Sequence, residues 1–317
     1  MKSSAQEAYE KVQQKLLMAP GMIEESERRL LFKAAFNCKR QPIVEFGAFF
    51  GASTLALASG LSAGKENQNQ IICIDAFEVD RDHSFHKHVI GYAKNCKAEK
   101  LLSTQGTKTN WIEITKAVLS NELKNVKLIK GIVNDSFDMS ILPETIGLLH
   151  LDLPKDAKTI APIVKETFPR LTKGSIIAFQ DYAYQFSNEL ISFFELLEQK
   201  HYIKATSLAA SSIFYEVCTD RMPGENLENL LKEAVESQST LLRDAIKKYA
   251  RYPNTRPQEL IAMNAAAIRS TRSQKAEETF QQQRSIRRLI EEMTSIDSKR
   301  SAFVLSELLT ETLEEHR

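Results

Sequence analysis

Five acidic side chains stand at or just past the ends of strand-like apolar runs: Glu45 in 43–47, Asp75 in 71–77, Asp135 after 126–132, Asp152 closing 146–152 and Asp181 closing 174–181. A carboxylate accepts hydrogen bonds from hydroxyls, attracts a positive centre, can take a proton as a general base, and repels phosphate. One acid at a strand end is unremarkable. Five in register at the carboxyl ends of parallel strands, where open α/β sheets bind ligands, describe a site. Its ligand would carry hydroxyls or a positive charge. Glu45 in particular argues against a dinucleotide pyrophosphate, and no G-x-G-x-x-G motif is present.

The elements that must carry these acids are legible around residues 42–58. Ile43, Val44 and Phe46 are strand formers. Gly47 and Gly51 bracket a turn where backbone can approach a ligand, and Ser53 and Thr54 open a helix whose first amide groups lack intrahelical partners. Further apolar runs, 71–77, 126–132, 146–152 and 174–181, alternate with helical patterns at 155–171 and 187–199. Ser187 is a candidate cap for the second of these. Runs 205–210 and 212–218 are close enough to pair as a hairpin. Continuous apolar strands alternating with helices predict a parallel sheet covered on both faces. Residues 1–40 read as two helices broken at Ala19-Pro20-Gly21.

The connection 78–124 is longer than a βα unit needs and is the candidate for substrate choice. It holds His83, His86 and His88, but Asp80, Arg81, Asp82 and Lys87 are interleaved, which reads as an exposed polar segment rather than a metal set. The only tryptophan, Trp111, starts a helical run over 111–123. From residue 225 onward glycine is absent, and apolar residues recur at helical spacing, as in Leu227, Leu230, Leu231 and later Ile286, Leu289, Ile290 and Met293. Such stripes need burial against the α/β domain or a partner subunit.

Composition excludes several classes. Hydrophobic residues make up 43% and charged residues 26%, with a formal net charge of +1, so no global field points to nucleic acid or an anionic membrane. The four cysteines form no C-x-x-C pair, which speaks against a zinc module or disulfide framework. The first fifteen or so residues lack a signal-peptide core, and no apolar run is long enough to span a bilayer. A cytoplasmic protein is the expectation.

Four blocks then resemble the class I S-adenosylmethionine (SAM)-dependent methyltransferases, closest to the macrocin-type sugar O-methyltransferases. They are Val44-Glu45-Phe46-Gly47 through Ser53-Thr54; Ile74-Asp75-Ala76-Phe77-Glu78, similar to the family's D-[ST]-F-E-G; Lys130-Gly131 through Asp135-Ser136-Phe137; and Leu149-His150-Leu151-Asp152 followed by 169–174 and Gln180-Asp181-Tyr182. The resemblance, over roughly residues 20–218, implies a doubly wound, mostly parallel, seven-stranded Rossmann-like α/β sheet, to which the apolar periodicity after residue 224 adds a C-terminal all-helical appendage. Together the residue pattern and the resemblance divide the chain into an N-terminal helical cap (1–40), a SAM-binding methyltransferase domain (41–220) and a helical oligomerisation or interaction domain (221–317).

The resemblance also assigns roles. Gly47 and the amides around Ala48 and Gly51 line the methionine part of SAM, with Glu45 and Ser53 beside them. Asp75, flanked by Ala76 and Phe77, takes the ribose hydroxyls. Asn134, Asp135 or Ser136 faces the adenine. Asp152 lies near the sulfonium methyl, and Asp152 and Asp181 are the catalytic pair. Sugar-methylating relatives carry D-x-D after the fourth strand and D-D-Y after the fifth, and those acids hold magnesium. Here Pro154 and Gln180 replace one acid in each, leaving Asp152, Gln180 and Asp181 as the magnesium set. The implied function is SAM-dependent O-methylation of a small-molecule or saccharide acceptor by a homo-oligomer. The alternative is a catalytically degenerate SAM-binding domain acting through its helical C-terminal module.

Overall fold

The computed structural model describes residues 3–38, 41–64, 70–134, 136–153, 157–182, 188–220, 222, 226–252 and 263. In chain order they form α1 (Ser4–Met18), α2 (Glu25–Asn37), β1 (Ile43–Phe46), α3 (Ala52–Ala63), β2 (Ile71–Asp75), β3 (Glu78–Asp80), α4 (Phe85–Asn95), β4 (Ser103–Gln105), β5 (Lys108–Asn110), α5 (Ile112–Leu119), β6 (Val126–Lys130), β7 (Ile146–Leu151), α6 (Ala157–Thr167), β8 (Leu171–Phe179), α7 (Asn188–Gln199), β9 (Ile203–Ala209), β10 (Ser212–Val217), α8 (Leu227–Glu236) and α9 (Gln238–Tyr249). The main sheet has seven strands in the order β6-β2-β1-β7-β8-β10-β9. Neighbours from β6 to β8 pair in parallel, while β10 runs antiparallel to both β8 and β9. This is the expected doubly wound sheet. The terminal hairpin is also as expected, with β10 rather than β9 entering beside β8.

Successive side chains of a strand point to opposite faces, and both faces here are dry. Val44, Phe46, Ile72, Ile74, Leu149 and Leu151 share one core with Ile160, Ile163, Phe193, Phe194, Leu227, Leu242 and Tyr249 of α6 to α9. Ile43, Ile71, Cys73 and Leu148 share the other with Tyr9, Phe32, Leu55 and Leu57 of α1 to α3. Helices α2 and α3 meet backbone to backbone at Gly60, where a Cβ would land on the Phe32 carbonyl oxygen. The small-residue sequence of α3 permits that approach. Helices α8 and α9 lie in the first core, so the helical unit expected from residue 221 begins as part of the α/β body. Apart from Met263 nothing beyond Tyr252 belongs to the described residues, and the stripes at Ile286 to Met293 lie outside them, as do Ser187 and Asp135. Among the described residues no helix is long and apolar enough to cross a membrane.

The segment 78–124 was expected as a long connection. It contains a second, three-stranded antiparallel sheet in the order β3-β5-β4, with α4 and α5 beside it. Its strands are three residues each, too short for a periodic signal, and β4 is exposed along its length.

One polar group interrupts the apolar faces. The parallel register sets Glu45 level with Cys73 of β2 and His150 of β7. The Glu45 carboxylate is fully buried. Thr54 Oγ1 of α3 donates to its Oε2 at 2.5 Å, and His150 Nδ1 lies 3.0 Å from its Oε1. A buried acid whose partner is removed costs about 3–5 kcal/mol, more than the roughly 1.5–3 kcal/mol of a single buried apolar side chain. His150→Ala is therefore expected to destabilise the fold by about 3 kcal/mol, read as a lower urea midpoint at unchanged slope. An unchanged midpoint would remove the pair from the list of interactions that hold the sheet.

Candidate active site

A cavity of about 580 Å³ opens where β1, β2 and β7 end, within the range usual for small-molecule sites. Gly47, Asp75, Ala76, Asp152 and Asp181 reach it from the strand ends, and Phe49, Phe85 and Trp111 supply an aromatic wall. The fold brings together three of the five predicted acids. Glu45 faces α3 in the core instead, and Asp135 lies outside the described residues.

Gly47 holds the turn. Its φ is +87°, and a Cβ there would land on the Asp152 carbonyl oxygen, so the end of β1 and the end of β7 close on each other only with glycine between them. Gly47 N–H donates to Ile74 O at 2.8 Å, and Asp152 N–H donates to Phe46 O at 2.8 Å. The turn then bends through Phe49, whose φ of 47° is left-handed for a bulky residue. Its ring stacks on Phe50 with centroids 4.1 Å apart and meets Phe85, Tyr92 and Trp111 edge-on at 5.5 to 5.8 Å. Thr115 Oγ1 of α5 donates to Phe49 O at 2.8 Å. The long connection is thus clamped onto the glycine turn.

Asp75 works harder than expected. Its Oδ2 accepts from the amides of Ala48 at 2.8 Å and Phe49 at 2.9 Å, and its Oδ1 accepts from Phe77 N–H at 2.6 Å. A carboxylate offers about four acceptor positions, so one remains for a ligand, on Oδ1. Burial raises the Asp75 carboxyl above its ordinary range, against these three backbone bonds, which pull it down.

The amides assigned to the ligand are therefore committed elsewhere: Ala48 and Phe49 to Asp75, and Gly51 N–H to Ala48 O at 2.7 Å. Of that turn, Gly47 and Phe49 reach the cavity. Ser53 and Phe77 are buried away from its wall. Asn134 and Ser136 are exposed past β6, where the Ser136 amide donates to Asn134 Oδ1 at 3.0 Å, and they do not line it either.

Asp152 and Asp181 share the wall. Asp181 sits at φ 54°, a left-handed conformation an Asp tolerates, and Ser211 Oγ donates to its Oδ1 at 3.0 Å. Gln180, the third member of the expected magnesium set, is buried off the wall, and its Oε1 has no partner among the described residues. Among the described residues no group of three or more His, Cys, Asp or Glu could hold a metal ion. Two carboxylates with the amide turned into the protein do not fit a dedicated magnesium site.

Sequence reasoning placed substrate choice in 78–124 without naming residues. The structure puts Val79, His83, Phe85, His88 and Trp111 of that segment on the wall, together with Met22 from the cap. Glu78 also lines it. Lys108 at 2.8 Å and Lys130 at 2.5 Å hold its carboxyl below the usual range and tie the small sheet to the end of β6. The one signal for this wall was Phe49-Phe50, two bulky rings inside a glycine turn.

Residues 44–182 match the family model described as a methyltransferase domain. That stretch runs from β1 to just past β8 and carries the parallel part of the main sheet, so over it the chain is similar to that methyltransferase family. No curated protein matches the chain. Among solved structures it is similar to the O-methyltransferase NovP, at 12% identity and TM-score 0.45, over 63% of this chain and 82% of that one. It is also similar to a Bacillus cereus O-methyltransferase solved with S-adenosylhomocysteine (SAH), at 16% and 0.42, over 69% and 92%. A TDP-rhamnose 3'-O-methyltransferase of calicheamicin biosynthesis aligns at 19% and 0.41, over 68% and 95%. At these scores the likenesses carry no argument about substrate.

Asp75→Asn places an amide NH2 against backbone N–H donors. It is expected to cost about 2 kcal/mol of stability and to weaken SAM binding about tenfold by calorimetry, since the turn and the remaining acceptor are lost together. Unchanged affinity in a folded variant would take Asp75 out of the binding site.

Proposed function

We propose that this chain transfers the methyl group of SAM to an oxygen of a small hydroxylated acceptor, with saccharides the leading class. The observation that carries the reading is the shared wall of Asp75, Asp152 and Asp181 around one cavity, facing an aromatic side made by Phe49, Phe85 and Trp111. Bound there, SAM would supply a methyl on positively charged sulfur, already activated toward attack. The residues of this chain have three tasks. Asp75 offers its one remaining acceptor position to a ribose hydroxyl while holding the turn. The aromatic side gives a flat, apolar surface that keeps water out. Asp152 and Asp181 would put negative charge on the side of the cavity where a sulfonium is favoured, and Asp181 would take the proton of the acceptor hydroxyl while its oxygen gains the methyl, the methyl–sulfur bond breaking to leave SAH. Alignment supplies most of the rate, as in any displacement on an activated carbon.

Calorimetric titration with SAM tests the first half. Saturable binding that is indifferent to magnesium is expected, and absence of binding would end the proposal. Asp181→Asn should leave SAM affinity within about threefold and lower turnover at least a hundredfold across a panel of saccharides and phenols, the scale of a lost general base. Binding by the wild-type chain without turnover of any sugar, phenol or amine would favour the degenerate reading that Pro154 and Gln180 suggest. We assign the amphipathic segments past residue 270 to self-association. Truncation after Ser270 leaves α8, α9 and Met263 in place, and is expected to lower the molecular mass seen by light scattering; an unaltered mass would refute that role.

A further inference from the structure

Glu27 is a buried carboxyl that the reaction described above does not use. It sits in the first turn of α2, in the N-terminal cap, with 2% of its surface exposed. The Glu24 amide donates to its Oε2 at 2.8 Å. Its Oε1 lies 2.5 Å from Ser212 Oγ and 3.5 Å from Ser211 Oγ, at the start of β10. Ser211 is also the residue whose hydroxyl donates to Asp181 Oδ1 at 3.0 Å. A serine hydroxyl has one hydrogen and two lone pairs, so it cannot serve both acids as a donor at once. If Glu27 is ionised it competes with Asp181 for that hydrogen. If Glu27 carries a proton on Oε1, that proton meets the nearer Ser212 oxygen, the neutral carboxyl no longer attracts the Ser211 hydrogen, and that hydrogen stays on Asp181.

We propose that Glu27 is a positioning residue for Asp181, acting from the cap through the Ser211 hydroxyl, and that its neutral form is the one that commits Ser211 to Asp181. The proposal rests on the reading of Asp181 as the base of the site. Burial supports the neutral form: it pushes the Glu27 carboxyl up to about 7 from an ordinary 4.5, and the nearby charges of Asp181 and Glu24 push the same way. Arg28, the next residue of α2, does not quench it, because its guanidinium turns to the carbonyls of Leu16 and Ile23 and caps the end of α1. The sign follows. A raised acid favours the protonated folded state, so this arrangement is complete at low pH and is lost as pH rises through about 7. A purely structural role, stapling α2 to β10 through Ser212, would involve neither Ser211 nor Asp181.

The two are separated by carboxyl NMR on the full chain without SAM, with 13C in the Asp and Glu side-chain carboxyls and Asp181 assigned by Asp181→Asn. In the wild type the Asp181 signal is expected to move in step with the titration of Glu27, as the Ser211 hydrogen changes partner. That movement should vanish in Glu27→Gln, whose amide reproduces the neutral donor, fall in Ser211→Ala to the small part that the direct charge coupling of the two acids carries, and persist in Ser212→Ala, which removes only the staple. An Asp181 signal that ignores the Glu27 titration, or follows it as far in Ser211→Ala as in the wild type, would overturn the proposal. Titration with SAH on the same samples keeps the outcomes distinct: loss of binding bears on the methyltransfer reading and leaves the cap-to-base connection standing or fallen on the NMR alone.

Discussion

Three backbone amides converging on the Asp75 carboxylate fix the geometry of everything at the carboxyl edge of the sheet. The turn after β1 and the turn after β2 are separate excursions with no secondary-structure bonds between them. A charge-assisted bond is worth roughly twice a neutral one, and three of them on one side chain join the two turns into a single platform. Phe49 then has a defined place despite its left-handed backbone, and with it the ring cluster that α4 and α5 pack against. Gly47 closes the platform onto β7 because nothing larger fits over the Asp152 carbonyl. The same carboxylate that would meet a ribose is thus the tie-rod of the site, and its binding role is confined to one oxygen.

The main sheet was legible because burial on both faces leaves a simple trace: short apolar runs ending in acids and separated by helical patterns. The runs at 43–46, 71–75 and 146–151 were located closely, since each is bounded by glycine, acid or proline. The small sheet left no such trace. Residues 103–105 are Ser-Thr-Gln, exposed throughout, and their strand exists only because Lys108 to Asn110 pair with them. Non-local pairing of three polar residues cannot be read from their types. The acids show a second limit. Residue type tells that Glu45 and Asp75 end strands, but not which face each points to. Strand parity decides that, and it sends Glu45 under α3, where Thr54 and His150 satisfy it. His150, read as a strand residue, is the partner that makes a buried acid tolerable.

The catalytic half was the less legible part for a related reason. The substitutions Pro154 and Gln180 are visible in the sequence, but their consequence depends on direction. Had the Gln180 amide faced the cavity, its oxygen could have joined Asp152 and Asp181 around a hard cation. Buried off the wall, it leaves a pair of carboxylates suited to attracting positive charge and accepting a proton, chemistry that needs no third ligand.

What holds Asp181 in that pair comes from three distant parts of the chain. Ser211 reaches it from the turn between β9 and β10, where Ala210 is left-handed at φ 48°. The carbonyl of Ala210 is gripped by the hydroxyl of Tyr249, fully buried on α9, at 2.9 Å. Lys248, the preceding residue, binds Glu195 and Glu198 of α7 and so anchors α9 to the sheet face. From the other side Glu27 of the cap bonds Ser212, the next residue along. The hairpin turn is therefore held between α2 and α9, and its Ser211 hydroxyl donates to Asp181. In energetic terms each of these bonds is modest, about 1 kcal/mol. Together they make the orientation of Asp181 a property of the whole fold. A cap and a C-terminal helix pair that look peripheral in the sequence are part of the site's scaffold, and a change in either can reach the cavity without touching a residue that lines it.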